Sequence, residues 1–416
     1  MFRLYVGQRI HCFISYRSLI DKMIPATRAS PPPPQKIKGP VDDWASMQCT
    51  EGILQDDTVV IVDEAEASRL HNKGHFGVPE SGGSLRLHLL EAIYLVEKER
   101  VLVMAPPEAP EGTAGPAIDL GELLSRAVKA IPSFEVRYSV YRDLRDRGYI
   151  LASPRLLTRA DEKSILWDLE AYSRGTPPGA GSRPDMRVFS ISERAPLVLG
   201  ELIERVREAS KGGQRVLIAL VDEEGDATYY EVATAEPSGQ MPVKLKGHYD
   251  GHLLEDRVVI TGKEAHELYA AGFYGKPAPG SLQLSFLEAA YLLDRDVLDI
   301  KNARTGKKVA QRELLKIARD RQDEFDERLR AYSDLRDRGM VVKTGFKYGT
   351  HFRVYQGDPS NTHAKYLMHA VPEDYASTWP ELSRAVRLAH GVRKDILFSR
   401  VLGKEMEYIQ FNRVRP

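Results

Sequence analysis

The sequence predicts a mixed α/β (α+β) protein of two tandem repeats, each a small N-terminal α/β unit followed by a second, C-terminal α/β unit. Two recurrences carry the duplication. Tyr141-Arg-Asp-Leu-Arg-Asp-Arg-Gly148 returns as Tyr332-Ser-Asp-Leu-Arg-Asp-Arg-Gly339. Upstream, Gly83-Ser-Leu-Arg-Leu-His-Leu-Leu-Glu-Ala-Ile-Tyr-Leu95 returns as Gly280-Ser-Leu-Gln-Leu-Ser-Phe-Leu-Glu-Ala-Ala-Tyr-Leu292. A third observation sets the class: short β-rich runs alternate with helical periodicity, in the same order in both halves.

In order along the chain, Phe2 to Ile24 mixes apolar and basic residues without period and lacks the apolar core and cleavage site of a signal peptide. Pro31 to Pro34 form a tetraproline run, the mark of an extended, solvated linker. Residues 1–46 therefore read as a disordered extension, with Met23 and Met47 as alternative starts. Repeat one is placed at 47–235, with units 47–130 and 131–235, and repeat two at 236–416, with units 236–310 and 311–416. In repeat one, Thr58–Val62 is a strand and Asp63 caps a helix stopped at Gly74. Leu85, Leu89, Ala92, Ile93 and Val96 fall at helical spacing and predict an amphipathic helix. Tyr138–Arg147 and Leu197–Ser210 read as helices; Tyr149–Ala152, Arg215–Val221 and Ala227–Val232 read as strands, the last two joined by the acidic turn Asp222–Asp226. Repeat two retraces this: strand Arg257–Ile260, helix Lys263–Ala270 stopped at Gly272, and helix Leu282–Leu293. A long charged helix Arg312–Arg338 follows, then strands Met340–Lys343, His351–Tyr355 and Tyr366–Val371, helix Leu382–His390, and strands Ile396–Val401 and Met406–Phe411.

Composition narrows the function classes. With 416 residues, 42% hydrophobic and 28% charged, there is room for roughly two to four domains. No apolar run reaches the ~18 residues of a membrane helix, so no membrane partner is expected. The formal net charge of zero excludes a bulk-charge argument for nucleic acid. Local balance is more telling. Met340–Pro416 holds 12 Lys+Arg against 7 Asp+Glu, or +5, whereas Asp185–Glu231 of repeat one holds 6 against 10, or −4. Opposite faces on sister units suit RNA on one side and each other on the other. Cys12 precedes the repeats and Cys49 stands alone at the start of repeat one, so neither copy closes an internal disulfide. A reducing cytoplasm fits, and two cysteines are too few for a structural zinc site.

Chemistry-bearing residues gather in repeat two. Tyr355 ends a strand, His363 precedes the next after a polar loop, and Lys394 follows a helix that leads into a strand. One sheet edge can hold all three. A Tyr, a His and a Lys suit RNA cleavage without a metal. The ribose 2′-OH must lose a proton, the leaving 5′-oxygen must gain one, and the phosphorane-like transition state needs a cation. Histidine, with a pKa of about 6.5, suits the general acid. Lysine supplies fixed positive charge. Tyrosine, at about 10, is a poor base unless a cation lowers it, and Lys394 can do both jobs. Singly, each has a bland reading: a packed aromatic, a loop residue, a solvated charge. Repeat one weighs against that reading. Phe189 in Arg187-Val-Phe189 stands where Tyr355 stands in Arg353-Val-Tyr355; Gln214 stands where Lys394 stands; no histidine matches His363. One half works and the other supports.

Asp337-Arg-Gly-Met-Val-Val-Lys-Thr-Gly-Phe-Lys-Tyr-Gly-Thr-His-Phe-Arg-Val-Tyr355, His363-Ala-Lys-Tyr-Leu367 and Val392-Arg-Lys394 resemble the archaeal tRNA-splicing endonucleases, over roughly residues 50–416. The resemblance implies a restriction-endonuclease-like C-terminal unit in each repeat and a homodimer standing in for four units. It implies Tyr355, His363 and Lys394 as the triad, precursor tRNA as partner, and no metal, nucleotide or other cofactor. It implies cuts at both intron junctions of a bulge–helix–bulge, leaving 2′,3′-cyclic phosphate and 5′-hydroxyl ends. Two arginines would sandwich a flipped-out intron base, Arg387 and Arg413, with Arg415 competing for the second place. Asp222, Glu223, Glu224 and Asp226 would dock into a basic cleft of the partner; by itself that segment is a polar hairpin turn. The alternative is a non-catalytic tRNA-binding or assembly subunit. A metal-dependent nuclease lacks its acidic pair with Glu-x-Lys. Gly345-Phe-Lys-Tyr-Gly349 lacks P-loop spacing, and no Gly-x-Ser-x-Gly elbow is present.

Overall fold

The computed structural model describes residues 49–416 apart from 109–114, 153–166, 174–177, 179–180, 242–244 and 246. The expected extension 1–46 and Met47 lie outside them. Repeat one comprises β1 (Thr50–Gln55), β2 (Thr58–Ile61), α1 (Glu64–Gly74), β3 (Val78–Pro79), β4 (Leu85–His88), α2 (Leu89–Glu97), β5 (Val101–Met104), α3 (Leu120–Ala130) and α4 (Phe134–Asp146). It continues with β6 (Ile150–Ala152), β7 (Leu169–Tyr172), β8 (Met186–Ser192), β9 (Pro196–Val198), α5 (Leu199–Ala209), β10 (Arg215–Val221) and β11 (Ala227–Thr234). Repeat two follows one for one: β12 (Tyr249–Leu253), β13 (Val258–Thr261), α6 (Lys263–Gly272), β14 (Lys276–Ala278), β15 (Ser281–Leu284), α7 (Phe286–Asp294), β16 (Leu298–Asn302), α8 (Gln311–Arg319) and α9 (Phe325–Asp337). Then come β17 (Val341–Thr344), β18 (Phe352–Tyr355), β19 (Tyr366–Val371), β20 (Ala376–Thr378), α10 (Trp379–Gly391), β21 (Asp395–Leu402) and β22 (Glu405–Val414).

Each N-terminal unit is a five-stranded sheet of the same order, β3-β4-β2-β1-β5 and β14-β15-β13-β12-β16. The two C-terminal units share a single ten-stranded sheet, β17-β18-β19-β21-β22-β11-β10-β8-β7-β6. Read from the middle, the halves are mirror lists, so β18 corresponds to β7, β19 to β8, β21 to β10 and β22 to β11. The seam is the antiparallel β11–β22 pair, with Val232 opposite Phe411. Tyr230, Val232, Ile409 and Phe411 are buried there with α5 and α10 residues in one core. The buried Tyr230 hydroxyl lies 2.8 Å from Ser383 Oγ on α10. Pairing across the seam leaves neither half with an open hydrophobic edge there.

The recurring Tyr-x-Asp-Leu-Arg-Asp-Arg-Gly sequence is scaffolding. On α4, Asp143 accepts from Tyr229 Oη (2.6 Å) and Arg145 Nη2 donates to Gly74 O (2.8 Å). On α9, Asp334 accepts from Tyr408 Oη (2.5 Å) and Arg336 Nη2 donates to Gly272 O (2.9 Å). Each motif thus ties its N-terminal unit to its own half of the large sheet, which is why both copies keep it.

Three sequence expectations are corrected. The helix read from Leu85 is a strand, β4, and then α2; Leu282–Leu284 likewise lies in β15, ahead of α7. The boundary is a helix cap. His88 and Ser285 accept from backbone N–H groups, while Glu91 and Glu288 accept from the cap backbone. The predicted helix 312–338 is two helices, broken where Glu324 takes a left-handed φ of 53°. The stops at Gly74 and Gly272 sit one residue early: His75 and Phe273 adopt the left-handed cap.

Candidate active site at one end of the shared sheet

Strand register brings the predicted residues of repeat two together. Val341 pairs with Tyr355, Val354 with Tyr366, and Tyr366 with Asp395. One step further along, Lys365 N donates to Val354 O (2.9 Å), one residue off that register, so a bulge sets Lys365 and Tyr366 both opposite Val354 and brings Ala364 against Tyr355; Asp395 N donates to Lys365 O (3.1 Å). Ile396 pairs with Phe411, and two more residues of that register put Arg413 opposite Lys394. The row of strand ends gathered here carries Val341, Tyr355, Lys394 and Arg413, with Lys365 at the bulge of the strand between Tyr355 and Lys394. Cross-strand partners present their side chains to the same face, at ~4.8 Å per strand. The face is that of α10, since Leu367, Ile396 and Phe411, two positions along, lie in the core with α10.

Local structure fixes each member. Tyr355 is 8% exposed and packs with Val341, Ala364, Met241 and Phe273. Arg353 stands 6.0 Å from its ring. His363 is exposed at the end of the loop 356–365, just before the ladder resumes. Asp358 folds that loop: its side chain accepts from Ser360 N (2.7 Å) and Asn361 Nδ2 (3.0 Å), and its carbonyl from Thr362 N (2.9 Å). Lys394 follows Arg393, which has a φ of 55°; Lys394 N donates to Ala389 O (3.0 Å), a turn that redirects the chain from α10 into β21. Its Nζ donates to Val392 O (3.3 Å) and lies 6.0 Å from the Tyr348 ring. Arg387 is exposed on α10 and Arg413 is exposed on β22; Arg415 lies beyond the strand, two residues past the row.

The matching row of repeat one follows from the same register. Ile150 pairs with Tyr172, Ala171 with Met186, and Met186 with Arg215. Asp185 N donates to Ala171 O (2.9 Å) and Arg215 N to Asp185 O (3.3 Å), the same two bonds that flank Lys365. Leu217 pairs with Glu231. The matching strand ends therefore carry Ile150, Tyr172, Gln214 and Thr234, with Asp185 at the same bulge and Arg183 at the place of His363. The expected match of Phe189 to Tyr355 is overturned. Phe189 lies on β8, the counterpart of β19, and stands where His369 stands; the counterpart of Tyr355 is Tyr172. The two Arg-Val-aromatic triplets sit on neighbouring strands, and a longer β7–β8 connection in repeat one hides the offset from a gap-free reading. Gln214 opposite Lys394 holds.

The tyrosine is thus common to both rows and the charges differ. Arg353 beside Tyr355 corresponds to Glu170, whose Oε2 accepts from Tyr172 Oη (3.2 Å). Burial, then the Glu170 charge, push the Tyr172 phenol up to about 12, which unsuits it as a base. Lys365 corresponds to Asp185, Lys394 to Gln214 and Arg413 to Thr234. A polar cleft of about 510 Å³ persists at the repeat-one row, lined by Ser173, Arg183, Asp185, Gln214 and Arg215. Sequence reading missed Arg353 and Asp358. The signal for the first was its spacing, two residues from Tyr355.

Two other histidines of this unit, His351 and His369, are structural. His351 Nδ1 accepts from Ala370 N (3.1 Å), and its ring lies 5.2 Å from that of His369, which stacks on Phe398. Burial, with Arg328 alongside, pushes His351 down to about 3 and His369 to about 4. Among the described residues, no group of three or more His, Cys, Asp or Glu is placed to hold a metal ion, and no helix is long and apolar enough to cross a membrane.

The acidic turn between β10 and β11 is preformed. Asp222 Oδ1 accepts from Glu224 N and Asp226 N, both at 3.0 Å. Glu223 pairs with Arg194 at 3.2 Å, both side chains well exposed. Separately, a groove of about 470 Å³ between the two units of repeat two is lined by Arg257, Lys276, Arg328 and Lys343, with Asp256 and Glu288 among them.

Comparison with known proteins identifies related domains along the chain. The family model for the tRNA intron endonuclease N-terminal domain matches residues 50–112 and 249–315, and that for the catalytic C-terminal domain matches residues 325–409. The tRNA-splicing endonuclease of Methanosarcina mazei is 38% identical over 87% of this chain and 98% of its own length. That of Methanococcoides burtonii is 36% identical over 86% and 97%, and that of Haloferax volcanii 31% over 88% and 100%.

Proposed function

This chain belongs to the tRNA intron endonuclease family, and we propose that it cuts precursor tRNA at both intron junctions with the strand-end row of its second repeat. Tyr355 takes the proton from the 2′-OH, and the 2′-oxygen attacks the adjacent phosphorus. The bond to the 5′-oxygen breaks, and His363 protonates that oxygen as it leaves. Lys394 stabilises the negative charge that builds on the non-bridging oxygens. The products are a 2′,3′-cyclic phosphate and a 5′-hydroxyl, and no step calls on a metal. A positioned general acid or base contributes about 10²- to 10⁴-fold.

The observation that carries this reading is the contrast between rows: tyrosine in both, but Arg353, Lys394 and Arg413 of repeat two are Glu170, Gln214 and Thr234 in repeat one, and only repeat two has the histidine. Arg413 is exposed on β22 in register with Lys394, and Arg387 is exposed on the helix α10 that leads into Lys394, which supports a grip on an unstacked base by two guanidinium planes. Arg413 is favoured over Arg415 because it falls in register with Lys394. Two chains supply two working rows for the two cuts in a bulge–helix–bulge. The acidic turn of repeat one, Asp222–Asp226, then docks into the basic groove at Arg257, Lys276, Arg328 and Lys343 of the partner chain, by charge complementarity.

The test is cleavage of a bulge–helix–bulge RNA in EDTA by the full chain, with the ends mapped. Cyclic phosphate at both junctions, and loss of cutting with retained binding in His363→Ala, are expected. RNA bound by the wild-type chain yet left intact would favour the non-catalytic subunit instead.

A further inference from the structure

Between α10 and the turn 345–350 runs a groove of about 390 Å³ that the mechanism above does not use. Tyr348, Tyr375, Leu388 and Phe398 make it largely apolar, with Glu381 and Arg384 among them. Leu388 is 44% exposed on α10, and Arg384 is exposed one turn before it. The groove reaches the active site, because the Tyr348 ring that lines it lies 6.0 Å from Lys394 Nζ.

Resting on the RNA-cleaving reading, we infer that this groove holds an unpaired nucleobase next to the cut phosphate, apart from the base assigned to Arg387 and Arg413. Repeat one argues for a task. Its matching pocket is smaller, about 280 Å³, and more ionic, lined by Arg137, Asp168, Glu201 and Arg205. The register that puts Gln214 at the place of Lys394 also puts Phe189 at that of His369 and Arg205 at that of Ala385. The Arg205 guanidinium lies over the Phe189 ring, 4.5 Å from its centre, and Phe189 is fully buried. Ala385 has no side chain to do this, and His369 lines the groove instead. Along the same helix face, Glu204 and Glu208 of repeat one are Arg384 and Leu388 here, so two charges that repel RNA are gone. A base suits the groove better than a phosphate does. Glu381 lines it, with Oε2 accepting from Ser377 Oγ (2.7 Å), and would repel an anion. A neutral base stacks on aromatic rings and leaves its edges to polar groups. The volume falls in the ~300–1,000 Å³ range of small-molecule sites.

The test is RNA binding and single-turnover cleavage by full-length wild-type, Ala385→Arg and Arg205→Ala chains. The substrates are an intact bulge–helix–bulge RNA and RNAs that lack one unpaired base at a time. In wild type, the abasic RNA that empties the groove is expected to bind about tenfold more weakly than intact RNA. Ala385→Arg fills the groove as repeat one does. It is expected to bind intact RNA about tenfold more weakly and to show no further loss with that abasic RNA, while Arg205→Ala binds as wild type does. Wild-type affinity in Ala385→Arg would overturn the inference. So would a weak Ala385→Arg that keeps every abasic loss of wild type, since that pattern belongs to a distorted helix. Crosslinking checks the same point without a variant. Photoreactive 4-thiouridine at that position should attach to Tyr348, His369 or Tyr375 of the wild-type chain, and attachment only elsewhere would overturn the inference. A wild-type chain that fails to cut intact RNA would overturn the parent reading instead.

Discussion

The strand-end rows of the two repeats share a backbone, a ladder and a tyrosine, and differ in charge. Tyr355 stands among Arg353, Lys394 and Arg413. Tyr172 stands among Glu170, Gln214 and Thr234. The lesson is that the duplicated fold alone does not make a site for phosphate chemistry. In the mechanism proposed above, what makes it is cationic side chains at the strand ends, together with a histidine at the end of a folded loop. Repeat one keeps the frame and carries surplus acid at the Asp222–Asp226 turn, which the proposal above assigns to docking.

The sharpest way to break this comparison is to remove the aromatic base from either row. Tyr355→Phe and His363→Ala should each slow single-turnover cleavage by about 10²- to 10⁴-fold, while Tyr172→Phe and Arg183→Ala stay within about twofold. A comparable loss in Tyr172→Phe would mean that both rows act. The next effect concerns the supporting role. Asp222→Lys with Glu224→Lys should raise the dimer dissociation constant about 100-fold, read by sedimentation, because like charges then face Arg257, Lys276 and Arg328. An unchanged solution mass would remove the docking role from repeat one.

A smaller effect compares His369 with its counterpart Phe189. The folded-state value of His369, about 4, lies below the ordinary histidine value of about 6.5. The unfolded chain therefore binds the extra proton first. His369 stabilises fully above pH ~6.5 and loses that contribution as pH falls towards 4. Between pH 7.5 and 5 the loss is about 2 kcal/mol. His369→Phe, borrowing the residue of repeat one, should flatten the acid side of a melting-temperature profile. A slope as steep as wild type would assign the acid sensitivity elsewhere, with His351 next in line. The smallest effect lies at the seam. Tyr230→Phe removes the hydroxyl that meets Ser383 and should cost about 1 kcal/mol, read as a drop of a few degrees in Tm that leaves cleavage untouched.

Much of this was legible in the sequence. The repeats were visible because the Asp143/Arg145 and Asp334/Arg336 bonds between units are needed in both copies. Tyr355, His363 and Lys394 were findable because strand ends and the loop before β19 carry turn chemistry around them. The seam was not legible, since β11 and β22 read as ordinary closing strands and their pairing spans nearly the whole repeat length. The Tyr172 match was hidden by the longer β7–β8 loop. Leu85 and Leu282 obeyed a helical period although they end strands, because the strand runs into the helix cap at His88 and Ser285 without a loop between.

The central claim is that the charge difference between the rows decides which repeat cuts. It is tested most directly by assaying two chains side by side on one bulge–helix–bulge RNA in EDTA, with product ends mapped. In one, Tyr172→Phe and Gln214→Ala disturb the repeat-one row; in the other, Tyr355→Phe and Lys394→Gln disturb the repeat-two row. The account predicts cyclic-phosphate ends at both junctions, at the wild-type rate, from the first chain, and bound but uncut RNA from the second. Cutting by the second chain, or failure of the first, would contradict it.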